Sequence, residues 1–136
     1  TIMPLMDKDF VILLQKCAMG NLTGNEKANN VSKVSGCIIA TSEGYPNEYK
    51  TGLPINIGPI ESDNCQIFDS GTRLSKNGGT LTDGGRVLSI VCQDEDFDKV
   101  FEKAYKNIQQ VHFEGIFYRK DIGHQVRAKF SKETLN

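Results

Sequence analysis

The fold of this chain follows from the stretch Arg86-Val87-Leu88-Ser89-Ile90-Val91-Cys92 and the segment that comes directly after it. The aliphatic and β-branched side chains of this stretch predict a buried strand. Apolar residues then recur at helical spacing over residues 94–111, which predicts an amphipathic helix. The apolar stripe consists of Phe97, Val100, Phe101, Ala104, Tyr105, Ile108 and Val111. Acidic residues crowd the helix start, where the helix dipole favours anions, so this charge run has a structural explanation.

Shorter strand signals lie on the N-terminal side of this unit. Residues 36–41 and 65–68 predict two further strands. Asn77-Gly78-Gly79 predicts a hairpin turn between residues 72–74 and 80–82. Residues 52–60 contain prolines and glycines, so any strand there belongs at a sheet edge.

A short helix precedes all the strands. Residues 9–18 have helical spacing of apolar side chains, with Asp7 or Asp9 to cap the start and Gly20 to end the helix. The order of elements predicts an α+β fold, in which an antiparallel sheet or small barrel is covered by one long helix.

The overall composition limits the classes of partner. The chain has 136 residues, a hydrophobic share of 38% and a formal net charge of -1, so we expect no global field that attracts nucleic acid. We find neither a signal peptide nor an apolar run long enough to span a bilayer, and we expect a cytoplasmic protein without membrane contact. The chain begins with Thr1 rather than Met, which favours a fragment of a longer polypeptide.

The four cysteines, Cys17, Cys37, Cys65 and Cys92, lie far apart in the sequence. With no Cys-x-x-Cys pair and only two histidines in the chain, a zinc site is not expected. Cys37 and Cys92 lie in apolar runs, where cysteine packs as a small hydrophobic residue. We expect free thiols, as suits a reducing cytoplasm.

A basic pair follows the last apolar strand signal. Residues 112–118 predict an aromatic-rich strand, and Arg119 and Lys120 come directly after it. A planar guanidinium beside an ammonium forms a pocket suited to a phosphate. From these residues alone, the simpler alternatives are a solvated strand end or a salt bridge to Asp121 or Glu114.

A geometric condition applies to this pair, because neighbouring residues of a regular strand point to opposite faces. Both cations reach one phosphate only if the chain twists or bulges, which Gly123 permits. Near the pair, His124 adds charge when it is protonated. Ser70, Thr72 and Ser89 have no histidine at a suggestive spacing, so we expect no nucleophilic catalysis.

Four segments, taken in order, resemble a known family. They are Ser42-Glu43-Gly44-Tyr45-Pro46, Ser70-Gly71-Thr72, Gly84-Gly85-Arg86-Val87-Leu88, and His112-Phe113-Glu114-Gly115 continued by Tyr118-Arg119-Lys120-Asp121-Ile122-Gly123. In combination, over residues 1–124, they resemble the C-terminal domain of the phosphoribosylamine–glycine ligases, ATP-grasp enzymes of purine biosynthesis. The chain departs from the family pattern at Glu43, where a glycine is usual, and at Asp69-Ser70, where His-Ala is usual.

The resemblance implies a reaction in which the γ-phosphoryl group of ATP is transferred to the carboxylate of glycine. The amine of 5-phosphoribosylamine then attacks the glycyl phosphate, which yields glycinamide ribonucleotide, ADP and phosphate. It also implies that ATP and Mg²⁺ or Mn²⁺ bind outside this fragment, which then contains no catalytic and no metal-binding residue and is inactive alone.

The resemblance implies a division of the chain as well. Residues 1–24 correspond to the C-terminal end of an ATP-grasp domain, which includes the short helix. Residues 25–35 form a linker, residues 36–130 form the β-rich C-terminal domain, and residues 131–136 form a tail. The expected partners are the substrates phosphoribosylamine, glycine and ATP, together with the N-terminal and ATP-grasp domains of the same enzyme, and we expect a monomer.

The family context assigns roles to individual residues. It implies that Arg119 and Lys120 bind the 5-phosphate of phosphoribosylamine. Arg86, Gly85 and His124 are candidate substrate contacts, since glycine lets the backbone approach a ligand closely. A surface arginine beside a turn is the alternative for Arg86.

Two other classes of protein fit parts of the sequence. Small β-rich carrier domains have a similar length and hold a modified lysine at the tip of a hairpin. Lys76 lies beside the predicted turn, but its neighbours Ser75 and Asn77 are polar. An assembly module is the other alternative, with the apolar helix stripe as its interface.

Overall fold

The computed structural model describes residues 1–6, 8–24, 26, 32–61 and 63–127, and its architecture is α+β. The strands are β1 (Val34–Ser42), β2 (Asn56–Ile57), β3 (Cys65–Asp69), β4 (Thr72–Leu74), β5 (Thr80–Thr82), β6 (Arg86–Asp94), β7 (Val111–His112) and β8 (Ile116–Phe117). The helices are α1 (Phe10–Ala18) and α2 (Phe97–Ile108), and a 3₁₀ turn at Met3–Leu5 precedes α1.

The main sheet has four antiparallel strands in the order β3-β6-β1-β8, while β2 pairs with β7 and β4 pairs with β5. Within the described ranges, β3 and β8 are the two edges of the main sheet, so the sheet is open and not a closed barrel. The predicted antiparallel sheet covered by one long helix is confirmed.

The core forms along the pairing of β1 with β6. Ile38 lies opposite Ile90, and Ala40 lies opposite Leu88. These side chains are at most 1% exposed. Because side chains alternate along a strand, these pairs face α2 together. A fully buried aliphatic side chain of this kind stabilises the fold by about 1.5–3 kcal/mol.

The apolar stripe of α2 packs on this face of the sheet. Its buried members are Val100, Phe101, Ala104 and Ile108. At Gly36 of β1, an added Cβ would lie 2.6 Å from Val100 Cγ1, so the helix approaches the strand where no side chain intervenes. The stripe is therefore core, and the alternative in which it forms an assembly interface is wrong.

Helix α2 is shorter at both ends than the predicted helix of residues 94–111. Asp94 is the last residue of β6, and Asp96 caps the helix by accepting a 2.8 Å hydrogen bond from Lys99 N. At the other end, Val111 and His112 form β7 and pair with β2. The helix therefore ends before Val111, the last residue of the predicted helix, because strand pairing begins directly after Gln110.

The predicted hairpin is confirmed. β4 and β5 pair antiparallel, with Thr72 opposite Thr82. Ser75 N donates to Gly79 O at 2.7 Å to close the loop, and Gly78 adopts a φ of +83° that favours glycine. Lys76 is exposed within this loop.

Helix α1 matches the predicted short helix. The Asp9 carboxylate accepts hydrogen bonds from Val11 N and Ile12 N at 2.8 and 3.2 Å, which caps the helix start. Gly20 follows the helix with a φ of +68°. None of the residues of α1 is buried.

Parts of the predicted division of the chain lie outside the described residues. These parts are Asp7, residues 25 and 27–31 of the predicted linker, and residues 128–136, which include the tail. Val34 and Ser35, the last two residues of the predicted linker, already belong to β1. In the part of the chain that the structure describes, no helix is both long and apolar enough to cross a membrane.

The cysteines correct the expectation of free thiols. Cys65 of β3 lies directly opposite Cys92 of β6, and their sulfurs form a disulfide. Cys17 and Cys37 are free. The sequence signals placed both Cys65 and Cys92 in strands but did not show that these two strands are neighbours in this register.

We therefore expect two thiols to react when the protein is denatured without a reductant, since Cys65 and Cys92 are oxidised. Alkylation followed by mass spectrometry counts the adducts. The Cys17→Ser variant is the control, because it should lose one of the two adducts. Four adducts on the unreduced, denatured protein would show that the disulfide is absent.

Candidate functional site

The basic pair lies in irregular backbone. The strand predicted for residues 112–118 is divided, because β7 ends at His112 and a turn follows in which Gly115 adopts a φ of +70°. β8 then covers Ile116–Phe117 only. Arg119 and Lys120 come after β8, so loop geometry sets the directions of their side chains rather than the alternation of a strand.

Helix α2 holds the segment that contains the basic pair. The Tyr105 hydroxyl donates to Arg119 O at 3.0 Å and accepts from Ile122 N at 2.9 Å. Gly123 adopts a φ of +85°, and an added Cβ there would collide with the ring of Phe101. These contacts tie residues 119–123 to the helix that covers the core.

Arg119 forms the salt bridge that the sequence left as an alternative. Its Nε and Nη2 donate to the two carboxylate oxygens of Asp121, at 3.0 and 2.7 Å. This pairing lowers the pKa of Asp121 and raises that of Arg119. Of the five N–H donors of a guanidinium, three remain for another ligand. The other proposed partner, Glu114, pairs instead with Lys50 at 3.6 Å.

The remaining polar groups of the segment are exposed. Lys120 is exposed and forms no ion pair with any described residue. His124 Nδ1 lies 2.7 Å from Asp121 O, and since a carbonyl only accepts, Nδ1 carries the proton. The neutral ring then has Nε2 as an acceptor, and the charged ring has it as a donor.

A bulge sets the direction of Arg86. The register of β1 with β6 shifts between Ala40 and Thr41, so Arg86 rather than Val87 lies opposite Thr41. Without this shift, Arg86 would share the α2 face with Leu88, two residues along the strand. A bulge re-aims a side chain in this way.

Arg86 and Gly85 line a cavity of about 530 Å³ on the face of the sheet away from α2, which we call the Arg86 basin. The other lining residues are Ile39, Tyr45, Ser70, Gly71 and Ser89. An added Cβ at Gly85 would collide with the ring of Tyr45, so the glycine is required by this packing. Tyr45 is a packing residue here.

The structure divides the predicted site residues into two groups. Arg119, Lys120 and His124 share one segment, whereas Arg86 and Gly85 lie at the basin. Strand β1 links the groups, because Thr41 is paired with Arg86 on one side and Phe117 on the other. Strands lie about 4.8 Å apart, so Arg86 and Phe117 are about 10 Å apart across the sheet.

Both groups are shaped by residues that no sequence pattern assigned to a site. Tyr105 was assigned to the apolar stripe, yet its hydroxyl is what fixes the segment after β8. Ser70 and Ser89 were considered only as nucleophiles, and their hydroxyl oxygens lie 3.4 Å apart at the basin. The tyrosine in the apolar stripe of the helix was the one sequence signal for this positioning role, because the hydroxyl of a half-buried tyrosine usually forms a hydrogen bond.

No cluster of three or more potential metal ligands occurs among the residues that the structure describes. The carboxylates of the α2 start are engaged with lysines of the same helix. Asp94 pairs with Lys103 and Lys99, and Asp96 pairs with Lys99 at 3.4 Å. Hydrogen bonding to Lys103 lowers the pKa of Asp94. This acidic run is structural, as predicted.

Comparison with known families identifies the class of domain. The sequence model described as "Phosphoribosylglycinamide synthetase, C domain" matches residues 35–125, which is more than half of the chain. The chain belongs to this family, and the resemblance found in the sequence is confirmed.

Individual relatives agree with the family. The phosphoribosylamine–glycine ligase of Caldanaerobacter subterraneus subsp. tengcongensis is 40% identical over 121 residues, which are 89% of this chain and 28% of that protein. The bifunctional purine biosynthetic protein purD of Dictyostelium discoideum is 37% identical over 126 residues, 90% of this chain and 15% of that protein. The chain therefore spans less than a third of these relatives.

A solved structure has the same fold. The crystal structure of the phosphoribosylamine–glycine ligase from Thermotoga maritima matches with a TM-score of 0.68 and 28% sequence identity. The match covers 82% of this chain and 27% of that chain. Membership of a ligase family leaves the carrier-domain alternative around Lys76 without support.

The salt bridge between Arg119 and Asp121 predicts a change in the titration of Asp121 when Arg119 is replaced. We expect Arg119→Gln to raise the pKa of Asp121 toward its ordinary value of 3.8, because the guanidinium is the main cause of the lowered value. Carboxyl ¹³C NMR shifts followed over pH measure both titrations. The pair stabilises the fold above the ordinary pKa, and this contribution disappears as pH falls through the lowered pKa of Asp121.

Asp94 is the internal control for this titration, because its pKa is lowered by Lys103 and not by Arg119. Its titration should be the same in both proteins. An unchanged Asp121 titration in the Arg119→Gln variant would mean that the salt bridge does not form in solution.

Proposed function

We propose that this chain supplies the C domain of a phosphoribosylamine–glycine ligase. The family match over residues 35–125 carries this proposal, and the ligase names of the relatives support it. In the proposed reaction, glycine is phosphorylated on its carboxylate by ATP. The amine of 5-phosphoribosylamine then attacks the acyl carbon and phosphate leaves, so that the amide of glycinamide ribonucleotide is formed with ADP and phosphate.

In this proposal, the segment after β8 binds the 5-phosphate of phosphoribosylamine. Arg119 contributes the guanidinium donors that Asp121 does not use, and Lys120 contributes an exposed ammonium. Asp121 and Tyr105 act as positioning residues, since one orients the guanidinium and the other fixes the backbone. His124 Nε2 is an additional substrate contact, and its charge increases phosphate affinity when the ring is protonated.

Arg86 and Gly85 contribute a second contact surface in this proposal. Gly85 keeps the wall of the basin free of a side chain, and Arg86 is exposed at its edge. Strand β1 lies between β6 and β8, so the basin and the segment after β8 form two separate contact surfaces.

ATP and Mg²⁺ or Mn²⁺ would bind to other parts of the ligase. The described residues contain no group of side chains that fits a metal ion. The role of this chain is then to bind and orient the substrate rather than to transfer the phosphoryl group. We expect the chain alone to form no glycinamide ribonucleotide from ATP, glycine and phosphoribosylamine.

The test is Arg119→Ala in the full-length ligase that contains this chain. A charge-assisted hydrogen bond contributes about 1.5–3 kcal/mol, so we expect the KM for phosphoribosylamine to rise by about 10- to 150-fold. Steady-state kinetics with phosphoribosylamine as the varied substrate provide the measurement, and the KM values for ATP and glycine should change little.

Arg73→Ala is the matched control, because Arg73 is also an exposed arginine paired with a neighbouring aspartate, Asp83, at 3.2 Å. It lies in β4 of the β4–β5 hairpin and not in the segment after β8. A KM for phosphoribosylamine that is the same in the Arg119→Ala variant as in the unmodified enzyme would refute the phosphate site.

A further inference from the structure

Arg86 differs from the other arginines of the chain in its charge partners. Arg73, Arg119 and Arg127 each form an ion pair with an aspartate, which is Asp83, Asp121 and Asp98 respectively. Arg86 forms no ion pair with a described residue, and no carboxylate lines the cavity beside it. A guanidinium at a concave surface without an acid has its donors available for an anion from outside.

The acids nearest to the basin in sequence are already engaged. The Asp69 carboxylate accepts a 2.9 Å hydrogen bond from the Thr72 hydroxyl. Asp83 forms the salt bridge with Arg73. Neither of these carboxylates lines the basin, so Arg86 has no acid beside it at the cavity.

The floor of the basin is close-packed backbone. An added Cβ at Gly71 would lie 2.6 Å from Arg86 O and 2.8 Å from Gly84 Cα. The loop before β4 thus lies directly against the loop before β6, with glycine on both sides of the contact. Ser70 N donates to Val87 O at 3.0 Å, which fixes Ser70 beside the start of β6.

Two hydroxyl groups complete the polar lining. Ser70 Oγ and Ser89 Oγ lie 3.4 Å apart, and either one donates to the other. Each hydroxyl has one O–H, and Ser89 also has a hydrogen bond with the Cys37 side chain. When Ser89 donates to Ser70 Oγ, the Ser70 O–H remains for a ligand. The basin therefore offers a guanidinium fork and a hydroxyl donor to one small group.

We propose that the Arg86 basin is a carboxylate-binding site in which the Arg86 guanidinium and the Ser70 hydroxyl donate to the two oxygens of the ligand, while Ser89 orients Ser70. One cation matches one negative charge, and the planar guanidinium fork matches a planar carboxylate. A phosphate dianion is better matched by the two adjacent cations after β8. In the ligase function proposed above, on which this identification of the ligand rests, the carboxylate belongs to glycine.

The carboxylate site is tested directly with acetate. We expect titration of the ¹⁵N-labelled chain with sodium acetate to give saturable shifts of the amide resonances of Gly71, Gly85 and Arg86. Arg86→Gln should weaken acetate binding by at least tenfold, and Ser70→Ala should weaken it severalfold. Arg86 is exposed, so its replacement leaves the core intact, and unchanged resonances of α2 verify this.

The Lys106→Gln variant controls for the loss of one positive charge, because Lys106 lies on α2 and the basin is on the face of the sheet away from α2, and it should bind acetate as the unmodified chain does. Acetate shifts that are absent, or that have the same affinity in Arg86→Gln, would overturn the proposal. Inorganic phosphate that binds at these residues more tightly than acetate would overturn the assignment to a carboxylate.

The identity of the carboxylate is tested in the full-length ligase. Arg86→Gln should raise the KM for glycine by at least tenfold without changing the KM for phosphoribosylamine, which is the reverse of the pattern expected for Arg119→Ala. Acetate binding with an unchanged KM for glycine would overturn glycine as the ligand. Acetate binding in a protein without ligase activity would refute the proposed function while supporting the carboxylate site.

Discussion

The antiparallel register between β1 and β6 is the constraint on which the rest of this structure depends. It places Ile38 opposite Ile90 beneath α2, and a slip of one residue would turn the whole apolar set to the other face. The bulge beside Thr41 breaks the register at one end only. Beyond it, Arg86 faces away from the helix, while Val87 and Leu88 remain buried in the core. The buried face and the Arg86 basin therefore result from the same strand pairing.

Helix α2 connects the core to the segment after β8. One side of the helix is buried on the sheet, and Tyr105 and Phe101 hold residues 119–123 against the same helix. Its start is stabilised by Asp94, whose pKa is lowered by Lys103. This pair contributes stability above the ordinary pKa of 3.8 and loses it as pH falls through the lowered value. Acid therefore weakens the element that positions the proposed phosphate site.

Local patterns in the sequence predicted most of the regular structure. Three of these features depend only on residues that are neighbours in the sequence, so the sequence pattern was sufficient to predict them. They are the hairpin at Gly78, the caps of α1 and the strand over residues 86–92. The predicted ends of α2 were wrong, and the Cys65–Cys92 disulfide was not predicted. Both depend on which strands become neighbours in the fold. In the candidate site, residue types alone identified the basic pair. The salt bridge of Arg119 with Asp121 and the hydrogen bond of Tyr105 to the Arg119 carbonyl are seen only in the tertiary structure.

The sequence by itself determined the class of fold and the family. Hydrophobic periodicity and short motifs in a fixed order can be recognised from neighbouring residues, without knowing which residues are in contact. It also located the cations at Arg86, Arg119 and Lys120. Only the tertiary structure decided which of these charges are compensated, because an ion pair depends on distances between side chains that the fold brings together. That is why Arg119 is engaged with Asp121, whereas Arg86 faces a cavity without an acid.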